Sequence, residues 1–301
     1  MKVNSMPDQL VRIISTDGGL RATVASTTHL VTEICQRQNT DPTATVALGR
    51  LVTAAALMGS LLKGDQRVAL SIEGNGPLKK LQAESDASGA VCGTIKMPHC
   101  NLPPKDGHFD VANAIGKAGF LHVIKDLGLK EPYRGMVQLS TSEIAEDLTH
   151  YFSVSEQTPT SVALGVTLDQ QAGVAASGGF LIQALPGCDE TVLEQLEETL
   201  SQLHPISNQL LDGRSPFEII DQVMTGIPFK VQTSYNLNFR CNCNSQHVLN
   251  MLKTLPAKDL TELALQTNDT EITCEYCKNI YRFSATEIAN LCQFELDKLT
   301  R

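Results

Sequence analysis

Over the first 187 of the 301 positions, apolar and polar residues mostly alternate in short runs separated by turn residues. That is the pattern of strands with one buried face. Leu10–Ile14 and Arg21–Ser26 read as short strands around an Asp17-Gly18-Gly19 turn. Arg67–Glu73, Lys79–Ser85 and Ala90–Met97 follow, separated by Gly74-Asn75-Gly76-Pro77 and Asp86-Ala87-Ser88-Gly89, which have hairpin-turn chemistry. Phe120–Lys125 with Gly135–Thr141, and Val162–Leu168 with Gly173–Ala184, are two further strand pairs. Two stretches break the alternation. Thr43–Leu62, rich in Ala and Leu and bounded by Asp41-Pro42 and Gly64, predicts a buried helix; Ser142–Phe152 predicts another, with Ser142 as its cap. Strands in runs with helices between them favour an α+β fold with an antiparallel-rich sheet over a doubly wound parallel one.

The period then changes. After Leu185-Pro186-Gly187, residues Val192, Leu193, Leu196, Leu200 and Leu203 recur at helical spacing, and Pro205 ends the pattern. A second helix is expected from Pro216, with Phe217, Ile220, Val223 and Met224 as its apolar stripe. Either this segment is a solvated helical connector docked on the first domain, or, since short amphipathic helices have little stability without a docking surface, it is stable only conditionally. Beyond it, Asn244–Leu255 and Ala257–Gln266 read as helices, Tyr281–Ser284 as a short strand and Ala285–Lys298 as a final helix.

Charge divides the chain at similar places. Residues 1–187 hold 15 Lys+Arg and 17 Asp+Glu, residues 188–229 one against eight, and residues 230–301 eight of each. The expected organisation is therefore an N-terminal mixed α/β core domain over 1–187, an acidic helical linker over 188–229, and a small C-terminal metal-binding domain over 230–301. The overall charge of −9 and the 5% aromatic content offer no footprint for nucleic acid. No apolar run approaches the ~20 residues of a membrane span, and the N-terminus lacks a secretory signal. A reducing cytoplasm is the expected compartment, where paired cysteines point to metal or redox chemistry.

Four of the nine cysteines form two tight pairs, Cys241-Asn242-Cys243 and Cys274-Glu275-Tyr276-Cys277, separated by thirty residues. A chain reversal can bring all four sulfurs to one point, a donor set that suits one tetrahedral zinc ion. The C-x-C half departs from the usual spacing of two to four residues between ligands. His247 and Cys292 are conceivable substitute ligands, but a helix surface and the apolar side of the last helix are the better readings. Cys92, His99 and Cys100 lack a fourth ligand at suitable spacing and read as strand and loop residues. Gly74–Lys80 lacks the phosphate-loop pattern, Ser177-Gly178-Gly179 lacks the nucleophile elbow, and no zinc-protease, kinase or dinucleotide fingerprint is present. No catalytic constellation emerges, and the expectation is that the chain is not an enzyme.

Four thiolates leave no open coordination position, so the expected zinc is structural and its loss unfolds the small domain. Disulfides across the two cysteine pairs would preserve the tether that zinc supplies, whereas disulfides within each pair would remove it. A C-x-C disulfide is strained and readily reduced again. The pattern fits a reversible switch, folded when reduced and loosened when oxidised within pairs.

In these cysteines the chain resembles the 33-kilodalton heat shock protein family of redox-regulated bacterial chaperones. The likeness extends to Gly49-Arg50 through Lys63-Gly64, Gly74–Ala83, Gly128–Phe152 (GLKEPYRGMVQLSTSEIAEDLTHYF) and Ser177–Gly187 (SGGFLIQALPG). The resemblance implies an ATP-independent holdase, quiescent when Cys241, Cys243, Cys274 and Cys277 hold zinc. Oxidation would form disulfides Cys241–Cys243 and Cys274–Cys277, release zinc and disorder the linker. The oxidised protein would bind unfolding client proteins, often as a homodimer, with neither nucleic acid nor membrane as partner. Cys35, Cys92, Cys100, Cys188 and Cys292 fall outside the family motif. The competing expectation is a zinc-ribbon adaptor that binds a protein or nucleic-acid partner.

Overall fold

The computed structural model describes residues 7–105, 107–265 and 268–291. The chain forms two compact units, 1–240 and 241–301. In the first, the elements in order are β1 (Gln9–Ser15), β2 (Leu20–Ser26), α1 (Thr28–Gln38), α2 (Pro42–Gly59), β3 (Arg67–Gly74), β4 (Lys80–Asp86), β5 (Ala90–Ile95), α3 (Val111–Ile115), β6 (Gly119–Asp126) and β7 (Tyr133–Gln138). They continue with α4 (Ile144–Ser155), β8 (Thr160–Leu168), β9 (Val174–Ala184), α5 (Glu190–Ser201), α6 (Ile206–Leu211), α7 (Pro216–Val223), β10 (Phe229–Asn236) and β11 (Asn238–Phe239). The second unit holds α8 (Ser245–Leu252), α9 (Ala257–Ala264), β12 (Thr270–Thr273) and β13 (Ile280–Phe283), followed by helix over 285–291. The α+β expectation holds, and the part of the expected last helix beyond 291 lies outside the described residues.

Two sheets build the first unit. One has five antiparallel strands in the order β10-β1-β2-β9-β8. The other runs β11-β5-β4-β3-β6-β7 and is antiparallel apart from the short β11–β5 pair. Helix α2 lies within the main core with every residue buried except Pro42 and Arg50. Its start obeys the expected signal: the Asp41 carboxylate accepts from the Ala44 N–H at 2.8 Å, and Pro42 occupies the first turn, where its missing N–H costs nothing. By length and composition α2 could cross a membrane, yet 89% of it is buried inside this unit, as befits a core helix.

The hairpins also form where turn chemistry placed them. Between β4 and β5, Asp86 Oδ1 accepts from the N–H groups of Ser88 and Ala90, and Gly89 takes the left-handed backbone (φ +87°) that closes the turn. Three features depart from expectation. Helix α1 was not predicted, because its cap comes from outside it: Asp8 accepts from Leu30 N–H at 2.6 Å and His29 N–H at 3.2 Å. Ser142 does not cap α4; it sits at φ 64° and gives its hydroxyl to the Gly116 carbonyl at 2.6 Å. Strand β10, assigned by charge to the C-terminal segment, pairs with β1 from Gln9↔Asn236 to Ser15↔Phe229 and so belongs to the first unit.

The acidic segment docks on the outer face of the five-stranded sheet. Leu196, Ile219, Ile220 and Val223 from α5 and α7 join Val11, Ile13, Ala22 and Val24 of that face in a second core. Helix α7 opens with a reciprocal capping box between Ser215 and Glu218, and Pro216 is in its first turn. Helix α6, which the hydrophobic period did not reveal, has the closest seat. Gly165 of β8 and Gly178 of β9 are cross-strand partners. A Cβ at Gly165 would stand 2.8 Å from Ser207 Cβ and 3.0 Å from its backbone nitrogen, and one at Gly178 would strike Leu210 Cδ1 and the Ala25 carbonyl. Two side-chain-free positions therefore let α6 approach the sheet at backbone distance.

Because the three nearest heavy atoms to a Cβ at Gly165 all belong to Ser207, Gly165→Ala is expected to lift α6 with little disturbance of the sheet. Overpacking of this kind costs about 1–3 kcal/mol. Hydrogen exchange should accelerate roughly 5- to 150-fold over 203–214 and remain slow in β2 and β9; unchanged exchange over 203–214 would refute the seat.

Candidate metal centre

Both cysteine pairs stand where regular structure ends. Cys241 and Cys243 lie in an extended stretch that Asn244 closes by capping α8, its side chain accepting from His247 N–H at 2.8 Å. Cys274 and Cys277 occupy the turn joining β12 to β13. There the Cys274 N–H donates to the Asn279 carbonyl and the Lys278 N–H to the Cys274 carbonyl, both at 2.9 Å, with Lys278 at φ 60°. Strand β12, absent from the sequence-based expectation, pairs Thr270↔Phe283 through Thr273↔Ile280 and makes the turn a rigid hairpin tip. Behind it is a small core of Val248, Leu252, Leu260, Phe283, Ile288 and Leu291.

The four sulfurs converge. All lie within 4.8 Å of one another, the only such His/Cys/Asp/Glu group among the described residues that is made of cysteine. Two close separations run between the half-sites: 3.6 Å from Cys241 to Cys274 and 3.1 Å from Cys243 to Cys277. A tetrahedron of metal–sulfur bonds of about 2.3 Å has edges of about 3.8 Å, so the cluster matches a four-thiolate ion with small adjustments. Cys277 is buried and the other three are half-buried, a setting that admits a metal while restricting water.

The sulfurs are not equivalent. Burial, with hydrogen bonds to neighbouring sulfurs, pushes the Cys241 thiol up, and burial first among several causes pushes Cys277 up to about 11. Desolvation also opposes ionisation of Cys243, yet hydrogen bonds from Tyr281 and the neighbouring thiols hold it below the usual thiol value. The Tyr281 hydroxyl reaches Cys243 Sγ at 3.0 Å and is itself pushed up to about 12, mainly by that bond. Negative charge thus gathers first on Cys243, and a bound cation would draw it from the others as well. Sequence reasoning had Tyr281 only as a strand residue; nothing in its local pattern shows that its hydroxyl reaches across to the first half-site.

The remaining candidates stay apart from this cluster. His247 is exposed on α8, and Cys292 lies outside the described residues. Cys35 is buried in α1, Cys92 is buried in β5, and Cys100 is buried with its N–H and thiol turned to Asp41, while His99 is exposed. Cys188 is half-buried beside the Gly19 backbone at the start of the acidic segment.

Comparison with known proteins gives the fold and site a family. A family model described as Hsp33 protein matches residues 8–284. The 33 kDa chaperonin of Syntrophotalea carbinolica is 56% identical over 286 residues, covering 95% of this chain and 99% of its own length. That of Geobacter sp. (strain M21) is 48% identical over 283 residues, covering 94% and 96%. The crystal structure of the 33 kDa chaperonin from Thermotoga maritima is similar with a TM-score of 0.87 and 32% identity, covering 97% of this chain and all of that one. With a four-cysteine cluster on a matching fold and matches over nearly its whole length, the chain belongs to the Hsp33 family of chaperones.

Proposed function

We propose that this chaperone is a redox-regulated, ATP-independent holdase whose switch is the sulfur cluster. The observation that carries the reading is that four sulfurs from segments thirty residues apart meet in a unit with only a small core. A unit of that size rarely folds on hydrophobic burial alone. Cys241, Cys243, Cys274 and Cys277 would hold one zinc ion, which fits four soft donors. When bound, zinc supplies structural cross-linking between the half-sites and contributes about 10–16 kcal/mol in small peptides.

Peroxide-class oxidants act on the thiolates. One sulfur attacks a peroxide oxygen; an S–O bond forms as the O–O bond breaks, hydroxide leaves, and the sulfur is oxidised by two electrons. A second thiol then attacks the sulfenic sulfur, forming the disulfide and releasing water. Pairing within Cys241–Cys243 and Cys274–Cys277 unties the half-sites, although two close contacts in the reduced cluster run between them. Separation of the half-sites as the cluster loosens is what permits the within-pair bonds.

Loss of the metal tether acts next on the acidic segment, joined to Cys241 through β10 and β11. Helices α5–α7 have short apolar stripes, and the segment 188–229 that holds them carries eight acidic residues against one basic, so undocking is favoured by self-repulsion. Undocking uncovers Val11, Ile13, Ala22 and Val24 on the five-stranded sheet, an apolar face suited to unfolding client proteins. Pairing of two oxidised chains through the same surface accounts for a homodimer. Action in the cytoplasm follows from a switch that must be reset by cellular thiols.

The reduced, zinc-loaded protein should leave a heat-denatured client to aggregate. After peroxide at raised temperature it should lose one zinc per chain, consume the four cluster thiols as two within-pair disulfides, and suppress aggregation. Light scattering with a zinc-sensitive dye and disulfide mapping reads all three; equal protection by the reduced form contradicts the proposal.

Metal binding should depend steeply on pH. The raised values of Cys241 and Cys277 mean that both are thiols at neutral pH and must give up protons to bind. The logarithm of the apparent zinc affinity should therefore rise by at least about two per pH unit near pH 7, since at least those two protons must leave. Chelator competition between pH 6 and 8 measures the slope, and a pH-independent affinity would exclude this assignment.

A further inference from the structure

A hydrogen bond from outside the sulfur cluster also joins the two half-sites. Tyr281 stands in β13, on the hairpin whose turn carries Cys274 and Cys277, and its hydroxyl donates to Cys243 Sγ, 38 residues away, at 3.0 Å. Its place is held by the hairpin, where it pairs with Ile272 of β12, and by packing of the ring against the small core of this unit. The same sulfur lies 3.1 Å from Cys277. The hydroxyl thus holds Cys243 toward the hairpin by a contact that does not need a metal.

We propose that Tyr281 is the positioning residue that sets the oxidant threshold of the cluster: its O–H···S bond keeps Cys243 in metal-binding geometry and slows peroxide attack on that sulfur. Two physical arguments support this. Hydrogen-bond partners of metal ligands typically contribute 10- to 100-fold in metal affinity. A donor on a thiolate also withdraws the electron pair that must attack the O–O bond, and sulfur nucleophilicity falls with that pair's basicity. The step affected is the first one, in which the thiolate forms an S–O bond with peroxide and hydroxide leaves. The inference rests on the redox-switch reading for its consequence, a threshold, but not for the hold on Cys243.

The test compares the full-length, zinc-loaded protein with its Tyr281→Phe variant, which keeps the ring and so the packing. Chelator competition measures zinc affinity. A peroxide time course follows zinc release, and differential alkylation with mass spectrometry gives the order in which Cys241, Cys243, Cys274 and Cys277 oxidise. The variant should bind zinc at least about 10-fold more weakly, release it sooner at a given peroxide concentration, and show Cys243 oxidised earlier relative to the other three. Unchanged affinity and order overturn the proposal. Weaker affinity with an unchanged order also overturns it, since the hydroxyl would then strengthen zinc binding without shielding Cys243. If the unaltered protein keeps its zinc under peroxide, the redox reading and the threshold both fall, and the chelator comparison alone decides whether Tyr281 holds Cys243.

Discussion

Convergence of Cys241, Cys243, Cys274 and Cys277 is the constraint on which the second unit depends. Helices α8 and α9 and the β12–β13 hairpin are each short, and the core they share has six buried apolar residues among those described. Burial on that scale does not offset the conformational entropy of so many ordered residues. Sulfurs drawn together from both ends of the segment would change the balance, because a metal held by all four would link the C-x-C stretch to the hairpin tip. The proposed arrangement would make the fold conditional on the state of the sulfurs. A metal can be lost to oxidation in a way that buried leucines cannot.

The first unit has its own reserve of conditional structure. Its main core, built around α2 between two sheets, does not involve the acidic helices. Those helices cover the other face of the five-stranded sheet, held by a modest apolar stripe and by the seat of α6 on Gly165 and Gly178. Removing them leaves the strands paired and the α2 core intact while exposing apolar surface. A domain built this way can present a binding face without unfolding itself, as the proposed holdase action requires.

Much of this was legible in the chain because the signals are local. The cysteine spacing, the Asp41-Pro42 start of α2, the Asp86–Gly89 turn and the helical period after Leu185 all state their structure within a few residues. What escaped depends on partners distant in sequence. Helix α1 draws its cap from Asp8, twenty positions before it. Strand β10 owes its place to pairing with β1, so a boundary read from charge fell too early. Helix α6 is short and stabilised by two glycines that it meets only in space. Tyr281 looks like any strand tyrosine until the fold carries its hydroxyl to Cys243. The gathering of the four sulfurs was readable; the contacts around them were not.

The proposed switch runs in one order: sulfur oxidation, then metal loss, then release of the acidic helices, then client binding. A single oxidation time course with pulsed hydrogen exchange follows that order, read alongside zinc release and binding of an unfolded client. Zinc should leave first, exchange over 188–229 should rise next while β2 and β9 stay protected, and client binding should follow the rise. Client binding with 188–229 still protected, or opening of that segment while zinc remains bound, would contradict it.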